Sequence, residues 1–167
     1  MDWSRAYRHL AATHRGAHKL FSDDTMARLQ RVIAEGEATH RGEVRLIVES
    51  ALALRKIRRG MSTRQRALDL FGTFRVWDTE ENNGVLLYIN VADRRLEIIA
   101  DRAAARLVGD PHWQTVAGHA QQAFKDGEFE RGVTEALEAI HRALAKAFPP
   151  AANQQRRNEL SDAPVVI

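Results

Sequence analysis

The chain has 167 residues, 44% of them apolar and 28% charged, with a formal net charge of +3, a composition that suits one domain with a well-buried core. It has no cysteine, which excludes disulfide frameworks, zinc–thiolate sites and hydrolases with a thiol nucleophile. The small positive balance is too weak to imply nucleic acid, and no apolar run approaches the roughly 20 residues of a membrane span. The start, Met1-Asp2-Trp3-Ser4-Arg5, lacks the basic-then-apolar pattern of a secretory signal, so a cytoplasmic protein is expected.

Trp3, Tyr7 and Leu10, at spacings of four and three, predict a short amphipathic helix in an N-terminal extension over residues 1–21. His14 and His18 follow at i, i+4, a spacing that can bring two imidazoles to one metal. No third histidine or carboxylate is close by in sequence, so exposed helix surface is the expectation. Ser22 is an N-cap with Asp23 and Asp24 in the first turn, and Met26, Leu29, Val32 and Ile33 mark one face of a helix to about Ala38. A strand is predicted near 43–51. The basic run Arg55-Lys56-Ile57-Arg58-Arg59 reads as a solvated loop, with an acidic partner or an anionic lipid surface as the functional alternative.

Ser62 with Gln65 forms a capping box for a helix with Ala67, Leu68, Phe71 and Phe74 on its apolar face. The helix ends near Trp77, where a polar run over residues 78–84 begins. Residues 85–89 are apolar on both parities, as in a strand covered on both faces. Residues 95–100 alternate, and the short link makes the two strands an antiparallel hairpin. Asp110-Pro111 opens a helix carrying Trp113, Val116, Ala117, Ala120 and Phe124. Phe129, Val133, Ala136, Leu137, Ile140, Leu144 and Phe148 define a final one. Residues 149–167 are expected to be a disordered tail, with Val165-Val166-Ile167 as a short docking peptide. The order of elements predicts an α/β fold, a three-layer α/β/α sandwich with a small mixed sheet and one β-hairpin.

Hairpin register points to a site. With Ala92-Asp93 as the turn, Leu96 faces Ile89, Ile98 faces Leu87 and Ala100 faces Val85, so apolar meets apolar. Asp101 then falls opposite Gly84 and Arg102 opposite Asn83; a turn at Asp93-Arg94 would set Asp101 opposite Leu86 instead. In the first register Asp101 approaches the loop that carries Asp78, Glu80, Glu81, Asn82 and Asn83. Hard oxygens from two segments suit calcium or magnesium, while the plainer reading makes these residues turn and helix caps. Asp110 can also reach the cluster, though the proline after it makes it first an N-cap. Arg102 is a candidate anion contact or a salt bridge to the same loop. Phosphate-loop, dinucleotide, nucleophile-elbow and zincin motifs are all missing. No general acid or base is identifiable, although a metal-activated water stays open.

The stretch Trp77-Asp78-Thr79-Glu80-Glu81-Asn82-Asn83-Gly84-Val85-Leu86-Leu87-Tyr88-Ile89 resembles the TPM domain family. So do Ala92-Asp93-Arg94, Glu97-Ile98-Ile99-Ala100-Asp101-Arg102, Val108-Gly109-Asp110-Pro111-His112-Trp113 and the segment over residues 124–133. The resemblance covers about residues 22–148. The family includes thylakoid-lumen proteins linked to photosystem II repair, some reported as acid phosphatases, and an animal receptor accessory protein. It also includes many bacterial proteins, often beside LemA-type or membrane-anchored TPM proteins. The resemblance implies an α/β/α sandwich, calcium binding in some members, and Asp78, Asn82, Asn83, Asp101 and Asp110 as ligands. This chain looks like a short soluble bacterial member. It departs from the pattern in lacking a transmembrane anchor, and in carrying Asp101-Arg102-Ala103-Ala104-Ala105 where many members have a glycine-rich segment. The expected function is a non-catalytic divalent-cation-binding accessory module acting through a protein partner at or near a membrane, such as a membrane-anchored TPM or LemA-type protein. The alternative is a metal-dependent acid phosphatase with Asp78 and Asp101 on the metal and Arg102 on the phosphate.

Overall fold

A computed structural model of the chain describes residues 3–12, 20–150 and 158–167. Among these the elements follow in the order α1 (Trp3–Ala11), α2 (Asp23–Glu37), β1 (Glu43–Glu49), α3 (Leu54–Arg58), α4 (Thr63–Thr73), β2 (Gly84–Asn90), β3 (Arg95–Ala100), α5 (Arg102–Val108), α6 (Asp110–Lys125), α7 (Phe129–Ala147) and β4 (Val165–Val166). His14 and His18, and residues 151–157 of the expected tail, lie outside the described residues.

The sheet has the order β3-β2-β1-β4. β1 and β2 run parallel at its centre, with Val44 opposite Val85 and Leu46 opposite Leu87. β3 returns antiparallel to β2, pairing Val85 with Ala100, Leu87 with Ile98 and Ile89 with Leu96. This is the register expected for a turn at Ala92-Asp93. A slip by one residue would send every apolar side chain of β3 to the wrong face.

Side chains alternate between two apolar layers. Leu46, Val48, Leu87, Ile89, Leu96 and Ile98 join the cluster that holds Leu29 and Ile33 of α2, Phe124 of α6 and Ile140 of α7. Ile47, Leu86, Tyr88 and Ile99 point the other way, to Ala67 and Leu70 of α4, Val76 and Leu160. Helices on both faces explain why β2 is buried along its whole length and has no polar parity. The result is the three-layer α/β/α sandwich expected. Ser22 caps α2 through Thr25 N–H at 3.2 Å, and the Ser62–Gln65 capping box of α4 is complete.

Three expectations need correction and one gains detail. The short helix α1 forms, and its large apolar stripe faces outward: Trp3, Tyr7 and Leu10 are 74%, 73% and 63% exposed, while Ala6 and His9 are buried. Polar bonds hold this helix, and spacing alone cannot reveal them. The basic run is the short helix α3, not a loop, seated by buried Ile57 against Ala6 and Leu52. On α4 the buried face is Ala67 and Leu70, with Leu68 exposed. Residues 158–167 are not a disordered tail. Leu160 N–H donates to Glu43, the Arg45 guanidinium to Ser161 O, and Ile167 N–H to Val48 O. Val165 and Val166 pair in parallel with Ile47 and Val48 of β1. A two-residue strand has no periodicity to read; the free backbone groups along β1 draw it in.

Candidate functional site

The hairpin delivers Asp101 where its register requires. Asp101 N–H donates to Gly84 O at 2.8 Å, and Ala103 N–H to Asn82 O at 3.0 Å. The start of α5 is thereby tied to the loop that enters β2. Gly84 has no alternative at its position: a Cβ there would stand 2.0 Å from Val76 O. Asn82 takes the left-handed conformation, φ 53°, which asparagine tolerates better than most residues. Thr79 Oγ1 accepts from Asn83 N–H at 3.1 Å, and Asn83 Nδ2 donates to Arg41 O, on the turn before β1, at 2.7 Å. Three segments thus meet: the α2–β1 turn, the loop before β2 and the β3–α5 junction.

Asp101 and Asn83 are both buried, 6% and 2% exposed. Asp101 Oδ1 caps α5 by accepting from Arg102 N–H at 2.7 Å. Its Oδ2, and the Oδ1 of Asn83, are buried with no hydrogen-bond partner in the protein. A buried carboxylate oxygen left in that state is costly. Arg102 lies over the rim, 84% exposed at its side chain, and donates to Asn82 Oδ1 at 2.5 Å. Arg41 forms an ion pair with Glu81 and donates to Pro149 O at 2.9 Å.

The structure does not bring Asp78 or Asp110 to this point. Asp78 turns outward and pairs with Arg75 at 2.5 Å. Asp110 lines a separate small cleft of about 50 Å³ with Arg64, Glu97 and Trp113. Of the five expected ligands, Asn82, Asn83 and Asp101 stay together. Sequence reasoning missed Arg41, whose carbonyl and guanidinium both serve the site. It is remote in sequence, and no motif marks it.

Residues 17–143 match the family model of the TPM domain. The chain belongs to the TPM domain family. This TPM domain is similar to the BA42 protein from the psychrophilic bacterium Bizionia argentinensis, solved by NMR. The two are 27% identical with a TM-score of 0.75, over 87% of this chain and 94% of that one. It also shares the fold of the N-terminal domain of a P. gingivalis protein, at 17% identity and a TM-score of 0.63, over 77% of this chain and 79% of that one. No curated protein matches it.

The donors of this TPM domain suit a hard cation. One carboxylate oxygen and one amide oxygen are buried without partners, and neither sulfur nor histidine enters the bonds described at the site. Among the described residues no three His, Cys, Asp or Glu side chains gather to hold a metal, so amide oxygens and water would complete any coordination shell. Calcium takes six to eight oxygens, whereas magnesium retains several waters and needs few protein ligands.

The other end of the hairpin holds a second polar cluster, which sequence reasoning treated as a turn. Asp93, 8% exposed at its side chain, receives Arg5 at 2.7 Å and lies 3.1 Å from His9 Nε2. Leu52 N–H donates to His9 Nδ1 at 2.9 Å, which leaves the ring proton on Nε2, facing the carboxylate. Burial by itself would raise the Asp93 carboxyl, but hydrogen bonds from His9 and Arg5 and the positive charge of Arg5 outweigh it and hold the group below the usual carboxylate range. Beside it, Tyr88 donates to Glu49 at 2.6 Å and receives Asn90 Nδ2 at 3.0 Å. Arg66 grips Glu49 with two nitrogens. Burial, then the charge of Glu49, pushes the Tyr88 phenol well up.

Proposed function

We propose that this TPM domain is a divalent-cation-binding accessory module without catalysis of its own, with calcium or magnesium held at Asp101 and Asn83. In this reading the loaded site presents a surface to a protein partner at or near a membrane. The observation that carries it is the pair of buried, unpartnered oxygens, Asp101 Oδ2 and Asn83 Oδ1. In this reading one cation meets both oxygens and adds to the weak compensation that Arg102 Nε, 3.9 Å from Asp101 Oδ1, gives the carboxylate. Asn82 Oδ1 becomes a third donor when Arg102 withdraws, and an exposed arginine moves at little cost. The groups bonded at the site are carboxylates, amides, arginines and the hydroxyl of Thr79, and no histidine enters those bonds. Binding is therefore better supported than turnover.

Titration calorimetry with calcium chloride and with magnesium chloride, on wild type and Asp101→Asn, tests this. Saturable binding of at least one cation, abolished in the variant, is expected. A parallel assay with p-nitrophenyl phosphate should show no turnover. Cation-dependent hydrolysis lost in Asp101→Asn would establish the phosphatase alternative, with Arg102 on the phosphate. Absence of binding by either cation would remove the proposal.

A further inference from the structure

The N-terminal helix has its large apolar side chains on the outside. Trp3, Tyr7 and Leu10 lie on one stripe at i, i+4 and i+7 and are 74%, 73% and 63% exposed. The residues that α1 buries are Ala6 and His9. Polar bonds supply the attachment: Arg5 and His9 to Asp93, Arg5 Nη1 to Met61 O at 2.8 Å, and Leu52 N–H to His9. The apolar stripe therefore takes no part in fixing the helix.

α3 packs directly against α1 through Ile57, Leu52 and Ala6. Arg55, Lys56, Arg58 and Arg59 sit on or just after it, and no ion pair to any of them occurs among the described residues. Exposed arginines elsewhere are often paired, as Arg28 is with Glu130, Arg131 with Glu128 and Glu135, and Arg142 with Glu138. The sequence has no Asp or Glu over residues 3–22 or over 51–68. Leu54, at the start of α3, adds another exposed apolar side chain.

We infer that α1 and α3 form a docking surface for an anionic lipid bilayer, with Trp3, Tyr7 and Leu10 entering the headgroup boundary and the α3 cations meeting lipid phosphates. Tryptophan and tyrosine are the side chains that settle at that boundary. An amphipathic helix lying in the plane of the membrane combines such a face with basic residues. Each cation near a negatively charged leaflet adds to the attraction within a Debye length. A second copy of the chain fits less well, because pairing this face with itself would oppose two sets of unpaired cations. The surface does not depend on the cation site, which lies at the other end of the hairpin, about 20 Å of strand away.

Vesicle flotation decides the matter, using phosphatidylcholine alone and phosphatidylcholine mixed with phosphatidylglycerol. Wild type should bind the mixed vesicles, bind neutral ones at least about ten-fold more weakly, and release in high salt. Arg55→Gln/Lys56→Gln/Arg58→Gln/Arg59→Gln should lower the partition about a hundred-fold. Trp3→Ser/Tyr7→Ser/Leu10→Ser should abolish binding while leaving the thermal melt unchanged, since all three side chains are exposed. The α3 variant tests the same surface without touching α1. No binding to mixed vesicles, or equal binding to both kinds, overturns the inference. So does self-association in sedimentation velocity that the α1 variant removes, which would give the face to a second copy.

Discussion

Each end of the β2–β3 hairpin carries an aspartate whose side chain is largely covered, 8% exposed for Asp93 and 7% for Asp101, and their surroundings are opposite. Asp93 is met by Arg5 and His9 at hydrogen-bond distance, with Arg8 at 3.7 Å. Asp101 spends one oxygen on its helix cap and keeps the other buried without a partner. A saturated carboxylate fixes structure, and here it fastens α1 to the sandwich. An unsaturated one is where the proposed cation would bind. Burial alone does not separate the two; the partner inventory does.

The comparison breaks most visibly if Asp93 is removed. Asp93→Ala leaves Arg5 without its counter-charge and His9 Nε2 without its acceptor, and should cost about 3 kcal/mol in the attachment of α1, measured as lost hydrogen-exchange protection over residues 3–11 and a lower denaturation midpoint. Because the folded Asp93 carboxyl is held below its unfolded value, its contribution is fully present above about pH 4, the ordinary aspartate range, and is lost as pH falls further. The stability difference between wild type and Asp93→Asn should accordingly begin to narrow near pH 4 and shrink steadily as pH falls further, in acid titrations followed by circular dichroism. A smaller effect is expected from Tyr88→Phe, which takes a hydrogen-bond partner from Glu49 and Asn90 in the same saturated end; urea unfolding should show a loss of about 1–2 kcal/mol. The smallest belongs to the other end. Asp101→Asn retains an oxygen for the α5 cap and should leave the cation-free stability within about 0.5 kcal/mol of wild type. Its melting temperature should then ignore added calcium or magnesium. Wild type should gain about 2.7 kcal/mol at a hundred-fold excess over Kd.

What was legible in the sequence follows the same division. Elements fixed by local rules were readable: the Ser62–Gln65 capping box, the helix start near Asp110-Pro111 (capped by Gly109 rather than by Asp110) and the apolar period of α7. The hairpin register was readable because a turn at Ala92-Asp93 sets apolar against apolar on β2 and β3 and places Asp101 beside Gly84 rather than opposite the apolar Leu86. Asp78 was assigned to the site because it shares a loop with Asn83, yet Arg75, three residues before it, is a nearer partner. Asp110 is separated from Asp101 by the whole of α5, a helix the linear reading did not contain. Arg41 and the Asp93 cluster depend on contacts between distant segments. The outward face of α1 was not legible because amphipathic spacing says which residues share a stripe, and only the polar anchors of Arg5 and His9 say which way the stripe turns.

The C-terminal strip has a consequence for handling the protein. Residues 158–167 occupy the flank of β1 from Glu43, which receives Leu160 N–H, to Ser50, which donates to Ile167 O. Without them, Val48 O and Ser50 N–H would lose their partners on an apolar strand, a ready template for another molecule's backbone. A version of the chain shortened before residue 158 would be prone to aggregate even with its sandwich intact.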